Sequence, residues 1–352
     1  MRRRLRELGF AVGRFPTGER NALVDVPGVA VGHRTLVEGD RLRTGVTAIL
    51  PHAGDLYAEK VLGACHTING YGKAAGLSQL AELGTIESPL LLTSTLSVGP
   101  VWEGGLRHML AANPEAGVDR DTVNVIVAEC FDGWLSDARA LAVRPEHALE
   151  AIAAANADEA GEGAVGAGTG TSCFGYKAGI GGASRRTGDR VLGCLVCCNY
   201  GGRRDLHLLV GPAGLQAAEV AEPPASGGSI VIVLGTDAPL TDRQLRRVAG
   251  RATFGLGRAG GFGANASGEY ALAFSTAQRI PHREHADHLE LRFLRDDSAE
   301  LRELFEAAAE VVHEAVLNAL CVAEPMEGRD GNRVEALPYE LLEQAPGLRR
   351  NP

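Results

Sequence analysis

Aromatic side chains are scarce in this chain: Phe, Trp and Tyr make up 5% of 352 residues, with 2 Trp and 3 Met. A core with so few large side chains packs small ones, and 46 Gly let backbone approach backbone. No stretch approaches the ~18 apolar residues of a membrane helix. The basic start Met1-Arg2-Arg3-Arg4-Leu5-Arg6-Glu7 runs into Arg14, Glu19 and Arg20 before any apolar export segment can form. A cytoplasmic protein away from membranes is therefore expected. Positive charge is not in excess either, and a net charge of −9 argues against a nucleic-acid partner.

Metal patterns are also missing. The seven cysteines are Cys65, Cys130, Cys173, Cys194, Cys197, Cys198 and Cys321, an odd and scattered set. Cys194-x-x-Cys197-Cys198 has no second pair and no histidine at ligand spacing, so it reads as buried strand with reduced thiols. Asp25, Asp55, His33, His52 and His66 show no H-x-x-x-H or H-E-x-x-H spacing and read as surface and turn residues. His282, His285 and His288 sit among Arg283, Glu284 and Asp287, the pattern of a solvated face. No metal and no cofactor is expected.

What is present is an alternation of strands and helices. Asn21–His33 reads as strand, turn, strand. Gly45–Pro51, Leu90–Thr93, Val123–Glu129, Val191–Asn199, Ile230–Leu234 and Glu269–Ser275 read as strands. Helical spacing marks 74–84, ending at Gly84, and 145–154 with Pro145 in its first turn. Thr241-Asp242-Arg243-Gln244 is a capping box. Asp297-x-x-Glu300 opens a long helix with Leu301, Leu304, Phe305, Ala308, Val312, Ala315 and Val316 on one face. Stretches 163–182 and 255–268 are glycine-rich loops. The mixed order, without a clean βαβ rhythm, favours layered α/β.

The glycines at 166, 168 and 170 lack the G-x-G-x-x-G spacing, and Arg185 and Arg186 stand where a ribose-binding acid would lie. Close backbone approach explains them better than a dinucleotide. Gly228–Ser229 is more unusual. A Pro- and Gly-rich linker, 221–228, runs into a serine that opens a β-branched strand. A chain cut there would give Ser229 both a hydroxyl nucleophile and a free α-amine as its base. Ser267 and Glu269, two apart in extended chain, share a face and form either a relay pair or a capped turn. Asn199, at a strand end, offers an amide donor for an oxyanion or serves its turn.

The chain resembles the self-processing aminopeptidase family of D-aminopeptidase/esterase and the β-peptidyl aminopeptidases. The carrying segments run in family order along nearly the whole chain: Asp25–His33, Arg43–Pro51, Ile68–Lys73, Leu92–Gly99, Glu129–Asp137, Gly166–Gly182, Asn199–Arg204, Gly228–Leu240 and Ser267–Ser275. The resemblance implies a single four-layer αββα sandwich over 1–352, layered like N-terminal-nucleophile hydrolases but differently connected. It implies self-cleavage into an α chain 1–228 and a β chain 229–352. It makes Ser229 the nucleophile, Ser267 and Glu269 its supporting pair, Asn199 an oxyanion donor and Glu129 the carboxylate for the substrate's amine. It implies no metal, a small peptide or amino-acid amide as substrate, and a homo-oligomer of processed heterodimers. Some relatives carry tyrosine at the position of Phe131, which here has a ring without a hydroxyl and reads equally as core or as substrate pocket. Two other readings stand beside this one: an acyltransferase like the glutamate N-acetyltransferases, which use a threonine where this chain has Ser229, and a nucleotide-binding protein with an inert serine.

Overall fold

The computed structural model of the chain describes residues 2–118, 121–207, 228–283 and 287–343, with the backbone of 349–350. The linker 221–228, apart from Gly228, and His285 lie outside the described residues. The strands that place the site are β1 (Ala30–Glu38), β2 (Leu42–Leu50), β3 (Glu59–Gly70), β4 (Thr85–Ile86), β5 (Leu90–Ser94), β6 (Ile126–Cys130), β7 (Ile180–Thr187), β8 (Arg190–Asn199), β9 (Gly228–Thr236) and β10 (Ser267–Pro281). The helices are α1 (Leu77–Leu83), α2 (Val98–Ala112), α3 (Pro145–Ala153), α4 (Asp242–Ala259) and α5 (Ala299–Val322).

Two sheets form. The smaller has the order β1-β2-β5-β6 and the larger β7-β8-β9-β10-β3-β4. Within them, β5 with β6 and β9 with β10 run parallel, and the other neighbours run antiparallel. The two-residue alternation of strand side chains decides how the sheets stack. On β9, Ile230, Ile232 and Leu234 join the cluster under α4 and α5, while Val231 and Val233 meet the other sheet. On β8, Cys194, Val196 and Cys198 face the helices, and Leu195 and Cys197 face inward. Leu90, Leu92, Ile126, Ala128 and Cys130 of the smaller sheet complete the layer between the sheets. Its outer face, with Leu91, Val125 and Val127, packs on α2 and α3 through Val101, Ala148 and Ile152. The result is the αββα sandwich expected from the resemblance.

Several local expectations hold and several shift. Thr241 caps α4: its Oγ1 accepts from Gln244 N–H at 3.1 Å, and Gln244 Oε1 accepts from Thr241 N–H at 3.0 Å. This helix runs on to Ala259, so the second glycine-rich loop starts at Gly260 rather than Gly255. The cap of α5 is Ser298, whose Oγ accepts from Leu301 N–H at 3.2 Å; Asp297 instead pairs with Arg295 at 2.7 Å. Leu23–Asp25 is a 3-10 turn, not a strand, because the Asp25 carboxylate accepts from the N–H groups of Arg20 and Ala22 and curls the chain. His52 is buried and bonded to Glu59 O at 2.7 Å, and His33 is held between Thr47 and Ala160, so neither is a surface residue. The glycines of 166–170 allow close approach as expected: a Cβ on Gly170 would sit 2.0 Å from Arg43 O, and one on Gly168 2.5 Å from Ile180 N. All seven cysteines are free.

Candidate active site

The first residues of β9 form the floor of the site. Ser229 lies opposite Asn199 of β8 on one side and Gly268 of β10 on the other, and Gly228 lies opposite Ser267. Ser229 has the inward parity of Val231 and Val233, so its hydroxyl points to the gap between the sheets. There its Oγ accepts a hydrogen bond from the Phe131 backbone N–H at 3.1 Å. Phe131 follows β6 directly. The end of the smaller sheet therefore delivers a backbone donor to the hydroxyl that the larger sheet presents.

Ser229 is 3% exposed and lines a cavity of about 170 Å³ with Tyr71, Lys73, Thr95, Glu129 and Phe131. Glu129 is 3% exposed. Its Oε1 accepts from the Lys73 backbone N–H at 2.9 Å, and its Oε2 accepts from the Thr95 hydroxyl. Two neutral donors fix the carboxylate, and neither neutralises its charge. Phe131 is 46% exposed, with its ring over Gly133, so core packing does not describe it. Its ring borders the cavity.

Ser267, Glu269 and Asn199 line a second cavity, of about 540 Å³, at the same strand end; the two cavities share Gly228, Phe131 and Ala266. Ser267 and Glu269 share the helix-facing side of β10, as the two-residue spacing predicts, and both are 1% exposed. Burial raises the Glu269 carboxyl above its usual range, with the neighbouring Ser267 hydroxyl opposing the rise. Neither Ser267 Oγ nor Glu269 Oε2 has a well-aligned partner among the described residues. Ser267 Oγ also crowds Gly228: a Cβ built there would lie 3.1 Å from it and 3.0 Å from Tyr200 Cβ. Only glycine fits before Ser229 without displacing a neighbour. Asn199 is oriented by a bond the sequence did not show, Ser172 N–H to Asn199 Oδ1 at 3.2 Å.

The structure thus brings Ser229, Glu129 and Phe131 together on the inward side of β9, with Asn199, the register partner of Ser229, on that same face, and it brings Ser267 and Glu269 together on the helix-facing side beside Gly228. Sequence reasoning missed Thr95 and Lys73 as holders of Glu129, although both lie in the segments that carry the resemblance. It also missed the Phe131 N–H, because a backbone donor leaves no residue signature. Among the described residues, no group of three His, Cys, Asp or Glu side chains is placed to hold a metal, and no helix is long and apolar enough to cross a membrane.

A strand-borne serine between two sheets of an αββα sandwich defines a hydrolase of the N-terminal-nucleophile type of architecture. The chain belongs to peptidase family S58, whose model matches residues 21–334. It is 35% identical over 367 residues to the β-peptidyl aminopeptidase BapA of Sphingosinicella microcystinivorans, covering 96% of this chain and 90% of that one. Among solved structures it is similar to the PH0078 protein of Pyrococcus horikoshii, with 47% identity, a TM-score of 0.92, and 97% and 98% of the two chains covered. It is also similar to the L-aminopeptidase D-Ala-esterase/amidase of Ochrobactrum anthropi, described as a serine aminopeptidase with a variant of the Ntn hydrolase fold, with 34% identity, a TM-score of 0.90 and 97% of each chain covered. These matches give no support to the acyltransferase or nucleotide-binding readings.

Proposed function

We propose that this hydrolase is an aminopeptidase that cuts its own chain between Gly228 and Ser229 and then uses Ser229 as an N-terminal nucleophile. The observation that carries the reading is a pair of buried groups beside the Gly228–Ser229 bond, Ser267 Oγ and Glu269 Oε2, neither of which has a well-aligned partner among the described residues. An unpartnered hydroxyl and carboxylate oxygen cost about 1–3 kcal/mol each when buried. A free amine on Ser229 would supply the missing donors. In the intact chain that nitrogen is an amide, and the relay has nothing to act on.

In the first turnover, Ser229 Oγ attacks the Gly228 carbonyl carbon, the C–N bond breaks, and the nitrogen takes the hydroxyl proton. Water then hydrolyses the ester, leaving 1–228 and 229–352. In later turnovers the substrate's ammonium pairs with Glu129, and Ser229 Oγ attacks the carbonyl of its N-terminal residue. The Ser229 α-amine accepts the proton, with Ser267 and Glu269 holding it in place. Asn199 and the Phe131 N–H stabilise the oxyanion. The proton passes to the leaving amine and water frees the enzyme. The small cavity over Ser229 fits the N-terminal residue of a short peptide, amide or ester, as the names of the relatives suggest. Free thiols throughout support a reducing, cytoplasmic setting. Assembly as an oligomer of processed heterodimers rests on the family resemblance.

The test is denaturing gel electrophoresis of purified protein with N-terminal sequencing. Two bands are expected, the smaller beginning at Ser229, and Ser229→Ala should stay as one band and lose aminopeptidase activity. Cleavage undiminished in Ser229→Ala would overturn the reading.

A further inference from the structure

The proposed mechanism leaves unused a buried cation, Lys177, that differs from buried Arg185 in its partners. Lys177 is fully buried, and no carboxylate pairs with it among the described residues. Its Nζ donates to three backbone carbonyls: Gly168 O at 3.3 Å, Thr171 O at 2.8 Å and Ala178 O at 2.5 Å. Burying an ammonium is costly, and here only carbonyl dipoles and the nearby Cys197 thiol face it; desolvation drives its pKa down to about 7. Its three donors serve loop carbonyls that an apolar side chain would leave without this partner, so Lys177 fixes the loop around it.

The second of those carbonyls shows where the charge acts. Thr171 C=O and Ser172 N–H are two ends of one planar peptide unit. The ammonium holds the oxygen end, and the N–H end donates to Asn199 Oδ1. The strand pair Ser172–Cys173 and Tyr176–Lys177 sets Lys177 directly opposite Ser172, which fixes this arrangement. Two more bonds lock the loop to the end of β8: Phe174 N–H to Tyr200 O at 2.7 Å and Cys198 N–H to Gly179 O at 3.0 Å. Fixing Oδ1 of a carboxamide also fixes the direction of its NH2 group.

We propose that Lys177 is a positioning residue for catalysis: through the Thr171–Ser172 peptide it sets the orientation of the Asn199 carboxamide. A polarised peptide donates more strongly from its N–H, so the charge both aims and strengthens the bond to Asn199. This inference rests on Asn199 acting as an oxyanion donor, and its test separates the two.

The full-length chain is prepared as wild type, Lys177→Met, Lys177→Gln, Asn199→Ala and the Lys177→Gln/Asn199→Ala double variant. The variant kcat and KM on an aminoacyl p-nitroanilide are normalised to the fraction carrying a free Ser229 terminus. The rate of Gly228–Ser229 cleavage is a second readout. Losing one oxyanion donor costs about 10²–10³ in kcat, and misaligning it should cost about 10–100-fold, with KM within about twofold. In the double variant Lys177→Gln should add nothing to the Asn199→Ala loss, because both act through one group. Lys177→Gln keeps two donors to the loop carbonyls and guards against a folding failure in Lys177→Met. An unchanged kcat in Lys177→Gln, a change confined to KM, or losses that add in the double variant would overturn the proposal while leaving Asn199 in place. Full activity in Asn199→Ala would overturn the Asn199 assignment and the proposal together. A Lys177→Gln chain that does not fold would also overturn it, since the ammonium would then serve folding rather than positioning.

Discussion

Glu129 is held in the cavity over Ser229 by the Lys73 N–H and the Thr95 hydroxyl, and neither donor neutralises its charge. In the proposed mechanism it acts in turnover of free substrates but not in self-cleavage, since the residue that presents the Gly228 carbonyl has no free amine. Glu129→Gln keeps the shape and one acceptor oxygen, for the Lys73 N–H, while its NH2 can donate to the Thr95 hydroxyl and the charge is removed. A charge-assisted bond contributes about 1.5–3 kcal/mol, so kcat/KM on aminoacyl p-nitroanilides should fall about 10–100-fold, mostly through KM. The two-band pattern on a denaturing gel should persist. Equal loss of processing would show that Glu129 acts on the reaction centre rather than on the substrate's amine.

At the scale of elements, α5 is joined to β7 by charge as well as by packing. Arg185 of β7 is fully buried; its Nε lies 2.9 Å from Glu310 and its Nη2 2.6 Å from Glu314, and Arg6 also reaches Glu314 at 2.7 Å. Removing one member of such a cluster leaves a buried carboxylate uncompensated, at a cost of about 3–5 kcal/mol. Arg185→Ala should lower the unfolding free energy by that amount without altering the Ser229 site, and urea melts followed by circular dichroism would read it. A change below about 1 kcal/mol would mean that water or another cation replaces the guanidinium.

The same elements show what the sequence could reveal. Ile230–Leu234 and Val191–Asn199 were legible as strands because β-branched and apolar runs have few other uses, and the spacing of Ser267 and Glu269 correctly put them on one face. The Ser298 cap, the extension of α4 to Ala259 and the turn at Leu23–Asp25 were not, because each depends on which of several competing side chains finds its backbone donor. The two-sided character of the site was also hidden. Strand parity separates Ser229 from Ser267, but only the pairing register shows that they meet across Gly228.

For the whole molecule, the position of the proposed cut matters more than its chemistry. β9 begins at the scissile bond and lies between β8 and β10, with Ile230, Val231, Ile232, Val233 and Leu234 fully buried on its two faces. Burying each such side chain contributes about 1.5–3 kcal/mol, and α4, β10 and α5 of the same fragment add far more surface. One new pair of charged termini at a sheet end is small beside that. Chains 1–228 and 229–352 should therefore remain one folded body after cleavage: a single size-exclusion peak in native buffer that contains both bands, and one cooperative thermal transition. If the smaller chain eluted alone in native buffer, the sandwich could not be the active form, and the nucleophile would have to work outside the sheet that now holds it.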